Sequence, residues 1–262
     1  MMPDYEQLTE QLRALGLREG DTVMVHSSFR ALGIRDPETI LRALLAVLGE
    51  SGTLLLPGLS YKQEPHHIHS VRDTPTCVGF LSEYFRTRPG TLRSVHPTHS
   101  VCGIGAELPE LLTRHILDTT PCGPHSPFRR VLQRGGKILM LGCGLCPNTS
   151  MHAVEEYANP PYLFGPPIRY TITDADGKTF EKEYTPHGFA GYEQRYDRVA
   201  DILGRGDWTT GMVGRAESHL ILGEALLEKA LAKMREDPFY FVDRAEEAEQ
   251  GTHDAPGAGK PG

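Results

Sequence analysis

The sequence has no basic excess, no long apolar run and no even cysteine framework, and each shortage removes a class of protein. Its 262 residues carry 27 Lys+Arg against 34 Asp+Glu, a formal charge of −7. Nothing in that balance displaces counterions from phosphates, so no nucleic-acid partner held by bulk charge is expected. The apolar runs are only a few residues long, far short of the roughly 20 that a membrane span requires. Five cysteines (Cys77, Cys102, Cys122, Cys143, Cys146) form an odd set and read as reduced thiols. Met1–Glu10 is polar and acidic, the reverse of a signal peptide, so a cytoplasmic location is expected. Neither G-x-G-x-x-G nor a P-loop occurs, which leaves a dinucleotide or nucleoside triphosphate site without support.

What is present is ordinary globular composition, with 39% hydrophobic and 23% charged residues, enough for a core without staples. Leu8, Leu12 and Leu15 recur at helical spacing between Tyr5 and Leu17, where Gly16 and Gly20 end the pattern. Thr22–Val25 reads as a buried strand. Pro37–Leu48 reads as a helix capped by Asp36, and Gly52–Pro57 as a second strand. Strand, helix and strand within about 35 residues predict a βαβ crossover and a parallel pair. Gly58–Thr74 is a polar loop, and a helix is expected at Val78–Phe85. Arg88–Ser100 is irregular; Pro109–Thr113 and Phe128–Gln133 are short helices. Lys137–Leu141 is a third strand, turned by Gly142-Cys143-Gly144 into a helix at Thr149–Ala158. Tyr170–Tyr184 alternates around Asp176-Gly177 as a hairpin does. Ala216–Arg235 has a broad apolar face and is predicted to be the longest helix; Leu220–Met234 can serve as core or, in a homo-oligomer, as interface. The expected fold is thus a single α/β domain over 1–244. It has a mixed, partly parallel β-sheet flanked by helices, an antiparallel addition in the second half, and a disordered acidic then Gly/Pro-rich tail at 245–262.

Three segments carry candidate chemistry. His26-Ser27-Ser28-Phe29-Arg30-Ala31-Leu32-Gly33 follows a buried strand, where open α/β sheets bind ligands. Its hydroxyls and N–H groups can hold phosphate or amide groups, or simply form a polar turn. Arg93-Ser94-Val95-His96-Pro97-Thr98-His99-Ser100 offers an anion or pantetheine-amide site, or a loop whose side chains cap its own backbone. The strongest is Asn148–Glu156, where His152 and Glu155 lie i,i+3 on one helix face. A carboxylate beside an imidazole orients the ring and favours its protonated form, as a general base requires. The same spacing also serves metal ligation, or a plain surface pair. Cys143-x-x-Cys146 lacks a second such pair and reads as packing thiols; His66-His67-Ile68-His69 reads as a mobile rim, and His187, Asp197 and Asp207 stand isolated.

Taken together and in order, these segments resemble the aminoglycoside 3-N-acetyltransferase family. The resemblance runs through Val25–Gly33, Thr74–Gly79, Arg93–Ser100, Cys122–Pro127, Gly136–Gly142, Asn148-Thr149 and His152–Glu156. It continues in Gly211–Ala216 and Asp237–Phe239, and so spans nearly the whole chain before the tail. It implies an acetyl-CoA-dependent N-acetyltransferase on a fold distinct from GNAT, an antibiotic-resistance activity acting on the 3-amino group of an aminoglycoside and needing no metal. By that likeness Ser27, Ser28, Phe29, Leu32, Gly33, Arg93, Ser94, Val95, His96 and Ser100 would hold coenzyme A, with Ser126 and Phe128 nearby. His152, backed by Glu155, would deprotonate the amine, and His26 would lie near the thioester. The chain is shorter through the middle than larger members and carries the His66–His69 loop.

The chemistry suits those residues. An alkylammonium cannot attack until a base takes a proton, and a positioned base contributes roughly 10²–10⁴-fold. Backbone N–H groups at the start of the 149–158 helix, or the Thr149 hydroxyl, would stabilise the developing oxyanion. Glu155, Glu156 and Asp197 would attract a cationic acceptor. Residues 236–262 hold seven acids and two bases, so 1–235, with 27 acids and 25 bases, carries only −2 of the total. Bulk charge therefore does not steer the substrate. Other readings are a different amine acceptor, a metal-dependent hydrolase using His152, Glu155 and His66–His69, and a non-catalytic coenzyme A- or drug-binding module.

Overall fold

The computed structural model describes residues 3–245, so all of the tail expected at 245–262 except Ala245 lies outside the described residues. The Asp4 carboxylate accepts from the Gln7 N–H and starts α1 (Tyr5–Leu15); Gly16, at φ 117°, ends it. β1 (Thr22–Ser27) leads to α2 (Pro37–Leu48), capped by Asp36 through the Glu38 N–H, and on to β2 (Thr53–Pro57). β1 and β2 pair in parallel from Thr22 opposite Thr53, which is the crossover the sequence predicts. The chain continues through β3 (His69–Ser70), α3 (Phe80–Thr87), β4 (Leu92–Arg93), β5 (Val101–Gly105), α4 (Leu108–Leu112), α5 (Pro127–Gln133) and β6 (Lys137–Leu141). Next come α6 (Met151–Ala158), β7 (Ile168–Thr173), β8 (Thr179–Tyr184), β9 (Tyr192–Gln194) and α7 (Val199–Ile202). β10 (Trp208–Val213), β11 (Ala216–Leu222), α8 (Gly223–Glu236) and β12 (Val242–Arg244) complete it.

Seven strands form the central sheet in the order β10-β11-β6-β1-β2-β5-β4. Its middle, β6-β1-β2, is parallel, and both flanks are antiparallel. Successive strand residues face opposite sides, and the sheet divides the core accordingly. Met24, Leu55, Ile138, Met140 and Ile221 pack under α4, α5, α6 and α8. Val23, Val25, Leu54, Leu56, Leu139 and Leu220 pack under α1, α2 and α3. Strands buried on both faces read as continuous apolar runs, which is why β1, β2 and β6 were visible in the sequence.

The same property misleads at Ala216–Leu222, which is a strand and not the first half of a helix. β11 lies between β10 and β6, and its Leu220 and Ile221 enter opposite cores. The short apolar run Leu220-Ile221-Leu222 fits either period locally. α8 starts only at Gly223, where a Cβ would come within 2.4 Å of the Gly136 carbonyl. Most of the apolar face at Leu220–Met234 is core: Leu220, Leu226, Ala230 and Met234 are buried and Leu227 and Leu231 pack against the core, while Leu222 is exposed. β5, for which the sequence predicts no element, contains Gly103 and Gly105; at Gly105 a Cβ would sit 2.3 Å from the Gly52 carbonyl oxygen. The hairpin β7–β8 forms where expected, but it pairs with β3 in a separate three-stranded sheet. No helix among the described residues is long and apolar enough to cross a membrane.

Candidate active site

β6 ends at the left-handed Gly142 and Gly144 (φ 67° and 64°), and the turn they allow brings α6 across the carboxyl ends of β1 and β6. On α6 the i,i+3 spacing sets His152 Nδ1 3.0 Å from Glu155 Oε2. Glu155 is fully buried. A buried carboxylate needs donors to replace water, and here Tyr162 Oη donates to Oε1 at 3.0 Å while Tyr196 Oη donates to Oε2 at 2.6 Å. With the Tyr196 proton given to Glu155, the remaining donor at this junction is His152 Nδ1–H, which faces both Glu155 and the Tyr196 oxygen at 2.7 Å. That tautomer leaves Nε2 as the basic nitrogen. The imidazole is 14% exposed and lines a cavity of about 940 Å³.

His26 and Ser27 from the end of β1, Thr98, His99, Thr149 and His187 share that cavity wall. Burial, and then the proximity of His152, pushes His26 down to about 3, so its ring is neutral at physiological pH. His99 is lowered by burial and then by His187 and His152. His187 is lowered by burial against the opposing hydrogen bond from Glu156. His187 Nε2 lies 2.8 Å from Glu156 Oε1, so two consecutive carboxylates on α6 each hold an imidazole. His187, Tyr162 and Tyr196 escape a reading of the sequence because their partners lie 31, 7 and 41 residues away. His99 lies in the second segment, where nothing local distinguishes it from His96.

Most other expected site residues do not line this cavity. In the first loop Ser28 N–H donates to the Leu141 carbonyl, Phe29 packs on Phe80 at 5.2 Å, Leu32 is buried core, and Gly33 (φ 68°) leaves no room for a Cβ against Arg215. The second loop turns inward. Arg93 spends its guanidinium on Ser100 Oγ, the Val71, Thr74 and Gly58 carbonyls and Ser60 Oγ, at 2.6–3.3 Å, so it is a clamp and not an anion receptor. Ser94 Oγ bonds His115 and the Val101 N–H; Val95 packs on Tyr170, Ile172 and Tyr184; Ser100 Oγ donates to the Gly58 carbonyl. His96 Nδ1 accepts from the His99 and Thr98 N–H groups. Only Thr98 and His99 of this loop reach the cavity.

Ser126 and Phe128 are buried at the start of α5. Glu156 is not free for a substrate cation: Thr120 Oγ1, the Cys122 N–H and His187 occupy it, at 2.6, 2.6 and 2.8 Å. Asp197 is paired with Arg195 at 3.0 and 3.1 Å and lies outside the cavity wall. The backbone N–H groups of residues 149–152 donate to the Pro147 carbonyl, Asn148 Oδ1, the Asn148 carbonyl and the Thr149 carbonyl, so they are not oxyanion donors. Thr149 itself lines the cavity. His66 and His67 are exposed and His69 is buried against Gln63; the set His152, Glu155 and His66–His69 does not converge. All five cysteines are free thiols, and burial raises Cys143 to about 12.

Comparison with known proteins places this geometry. The family model "Aminoglycoside 3-N-acetyltransferase" matches residues 24–235. The chain is 31% identical to aminoglycoside N(3)-acetyltransferase VII of Streptomyces paromomycinus, over 88% of this chain and 91% of that protein. It is 32% identical to aminoglycoside N(3)-acetyltransferase IV of Salmonella sp, over 90% and 89%. Among solved structures, a histidine-to-alanine variant of aminoglycoside acetyltransferase AAC(3)-IVa in complex with a gentamicin superimposes with a TM-score of 0.82 at 29% identity, covering 95% of this chain and 94% of that one. AAC-IIIb in binary complex with CoASH gives a TM-score of 0.79 at 26% identity, covering 90% and 97%.

Proposed function

The chain belongs to the aminoglycoside 3-N-acetyltransferase family, and from that premise we propose that it moves acetyl from acetyl-CoA to the 3-amino group of an aminoglycoside in a ternary complex. The observation that carries the mechanism is the Glu155–His152 pair at the wall of the cavity. Relatives of the same fold bind gentamicin, sisomicin and apramycin, and those three are the first acceptors to try.

Acetyl-CoA supplies an activated acyl group; the rest is done by the chain. The amine, protonated at neutral pH, loses its proton to His152 Nε2. The imidazolium that forms is stabilised by the Glu155 carboxylate, to which Tyr162 and Tyr196 each give a hydrogen bond. Glu155 thus fixes both the tautomer and the charge, while His152 alone touches the substrate. The freed amine attacks the thioester carbon, and the hydroxyl of Thr149, a residue of the same wall, would donate to the oxygen that gains charge. As the C–S bond breaks the coenzyme A thiolate leaves, with the proton held on His152 Nε2 available to it. Coenzyme A fits the His26–Gly33 loop: Ser27 opens to the cavity, and beyond it the same loop carries the exposed Arg30 and the Phe29–Phe80 pair. A cation and an aromatic surface suit the phosphates and adenine of that group.

Release of free thiol from acetyl-CoA with gentamicin, sisomicin and apramycin tests the proposal. The expected result is turnover with at least one. Coenzyme A binding with no turnover of any aminoglycoside overturns the acceptor assignment and leaves another amine.

A further inference from the structure

The cavity wall holds more imidazole than one proton transfer uses. One ring nitrogen from each of His99, His152 and His187 lies within 4.8 Å of the other two. The rings sit 5.9, 5.5 and 4.9 Å apart, centroid to centroid. Each ring has its other nitrogen engaged. His152 Nδ1 faces the Glu155 carboxylate at 3.0 Å, His187 Nε2 faces the Glu156 carboxylate at 2.8 Å, and His99 Nδ1 faces Thr98 Oγ1 at 2.9 Å. Metal-ligating histidines are oriented in this way, with one nitrogen on a carboxylate or another oxygen and the other on the ion. The nitrogens left over are His152 Nε2, His187 Nδ1 and His99 Nε2. His187 Nδ1 is buried with no hydrogen-bond partner, a cost that a ligand would remove.

We propose that His99, His152 and His187 form a binding site for a divalent transition-metal ion, zinc foremost, and that its occupancy switches the acetyltransferase off. Three neutral imidazoles with a water from the open cavity make a tetrahedral nitrogen-rich set. Zinc–nitrogen bonds of about 2.0–2.1 Å put ligand nitrogens on one ion about 3.3 Å apart, so ring nitrogens that lie within 4.8 Å of one another need approach by at most about 1.5 Å, a shift that ring rotation can share. The ion would occupy the His152 Nε2 lone pair, which is the pair that accepts the ammonium proton. Metal and productive amine then exclude one another. The binding half of this proposal stands apart from the function proposed above; only the inhibition rests on it.

The test is equilibrium dialysis of the full chain against zinc, with no coenzyme A present because its thiol competes for the ion. One zinc per chain is expected. Affinity should fall at least tenfold in His187→Ala and, separately, in His99→Ala, and be retained in Cys146→Ser and in the double variant His66→Ala/His67→Ala. Cobalt loaded into the unaltered chain should give the visible bands of a tetrahedral nitrogen site without thiolate-to-cobalt charge transfer, a readout that needs no variant to fold. Unchanged zinc affinity in both His187→Ala and His99→Ala overturns the site, as does loss of binding in His66→Ala/His67→Ala or a thiolate band. Initial rates of acetyl transfer should fall as zinc saturates and recover with chelator. Zinc bound at the three histidines with full turnover overturns the switch. Absence of turnover before zinc is added counts against the acetyltransferase assignment, while dialysis still decides the site.

Discussion

The loop Arg93–Ser100 and the stretch Thr149–Glu156 have similar polar inventories, each with at least one histidine, at least one charged group and two or more hydroxyls within eight residues. The fold uses them in opposite ways. In the loop, Arg93 reaches five acceptors, and Ser94, His96 and Ser100 turn inward to bond their own surroundings. On α6, Glu155 is the buried anchor and His152 keeps one nitrogen open to the cavity. A polar side chain whose bonding capacity is exhausted by the protein supports the site; one with a free lone pair at a cavity wall performs chemistry. A variant of His152 should therefore change turnover with little effect on stability, and a variant of Arg93 the reverse.

His152→Ala gives the largest effect: kcat/KM should fall by roughly 10²–10⁴-fold, with a melting temperature close to the parent. Steady-state rates across pH check it, and near-parental turnover would remove His152 from the mechanism. Arg93→Ala comes next and inverts the pattern. It leaves three carbonyls and two hydroxyls short of a donor, at a cost of about 3 kcal/mol, while KM for acetyl-CoA in the folded fraction stays the same. A raised KM at unchanged stability would return Arg93 to coenzyme A binding.

Acid should act through the supporting residues. Burial lowers His26, His69 and His115 to about 3, and His96 and His99 are lowered as well. Below the ordinary histidine value near 6.5 the unfolded chain binds protons that the folded chain refuses. Stability therefore rises with pH between about 3 and 6.5 and is lost as pH falls through that window, by up to about 1.4 kcal/mol per pH unit for each such histidine. Denaturant titrations at pH 7 and pH 5 measure this, and a flat profile would contradict neutral buried rings. The smallest effect belongs to Asp197→Asn, which breaks a partly exposed pair with Arg195 worth under about 1 kcal/mol. KM for the amine should not change; a clear rise would bring Asp197 back to the acceptor side.

Much of the frame was legible because it is local. The βαβ unit, the strand Lys137–Leu141, the hairpin at Asp176-Gly177 and the i,i+3 relation of His152 to Glu155 each depend on residues close in sequence. The errors share one cause. In Ala216–Leu222 the apolar run Leu220-Ile221-Leu222 is too short for its period to decide, and only pairing with β6 and β10 makes the segment a strand. Glu156 resembles a free acidic group until His187, Thr120 and Cys122 are seen to occupy it. The Thr149–His152 N–H groups suit an oxyanion until the turn before α6 consumes them.

The sequence by itself determined the α/β frame, the family to which the chain belongs, and the pairing of an imidazole with a carboxylate on one helix face, since period, capping and short spacing act along the chain. Tertiary structure alone decided which polar groups face the cavity, that Tyr162 and Tyr196 hold Glu155, and that His99 and His187 join His152. Those outcomes depend on which partner satisfies each buried polar atom, and that partner is usually tens of residues away.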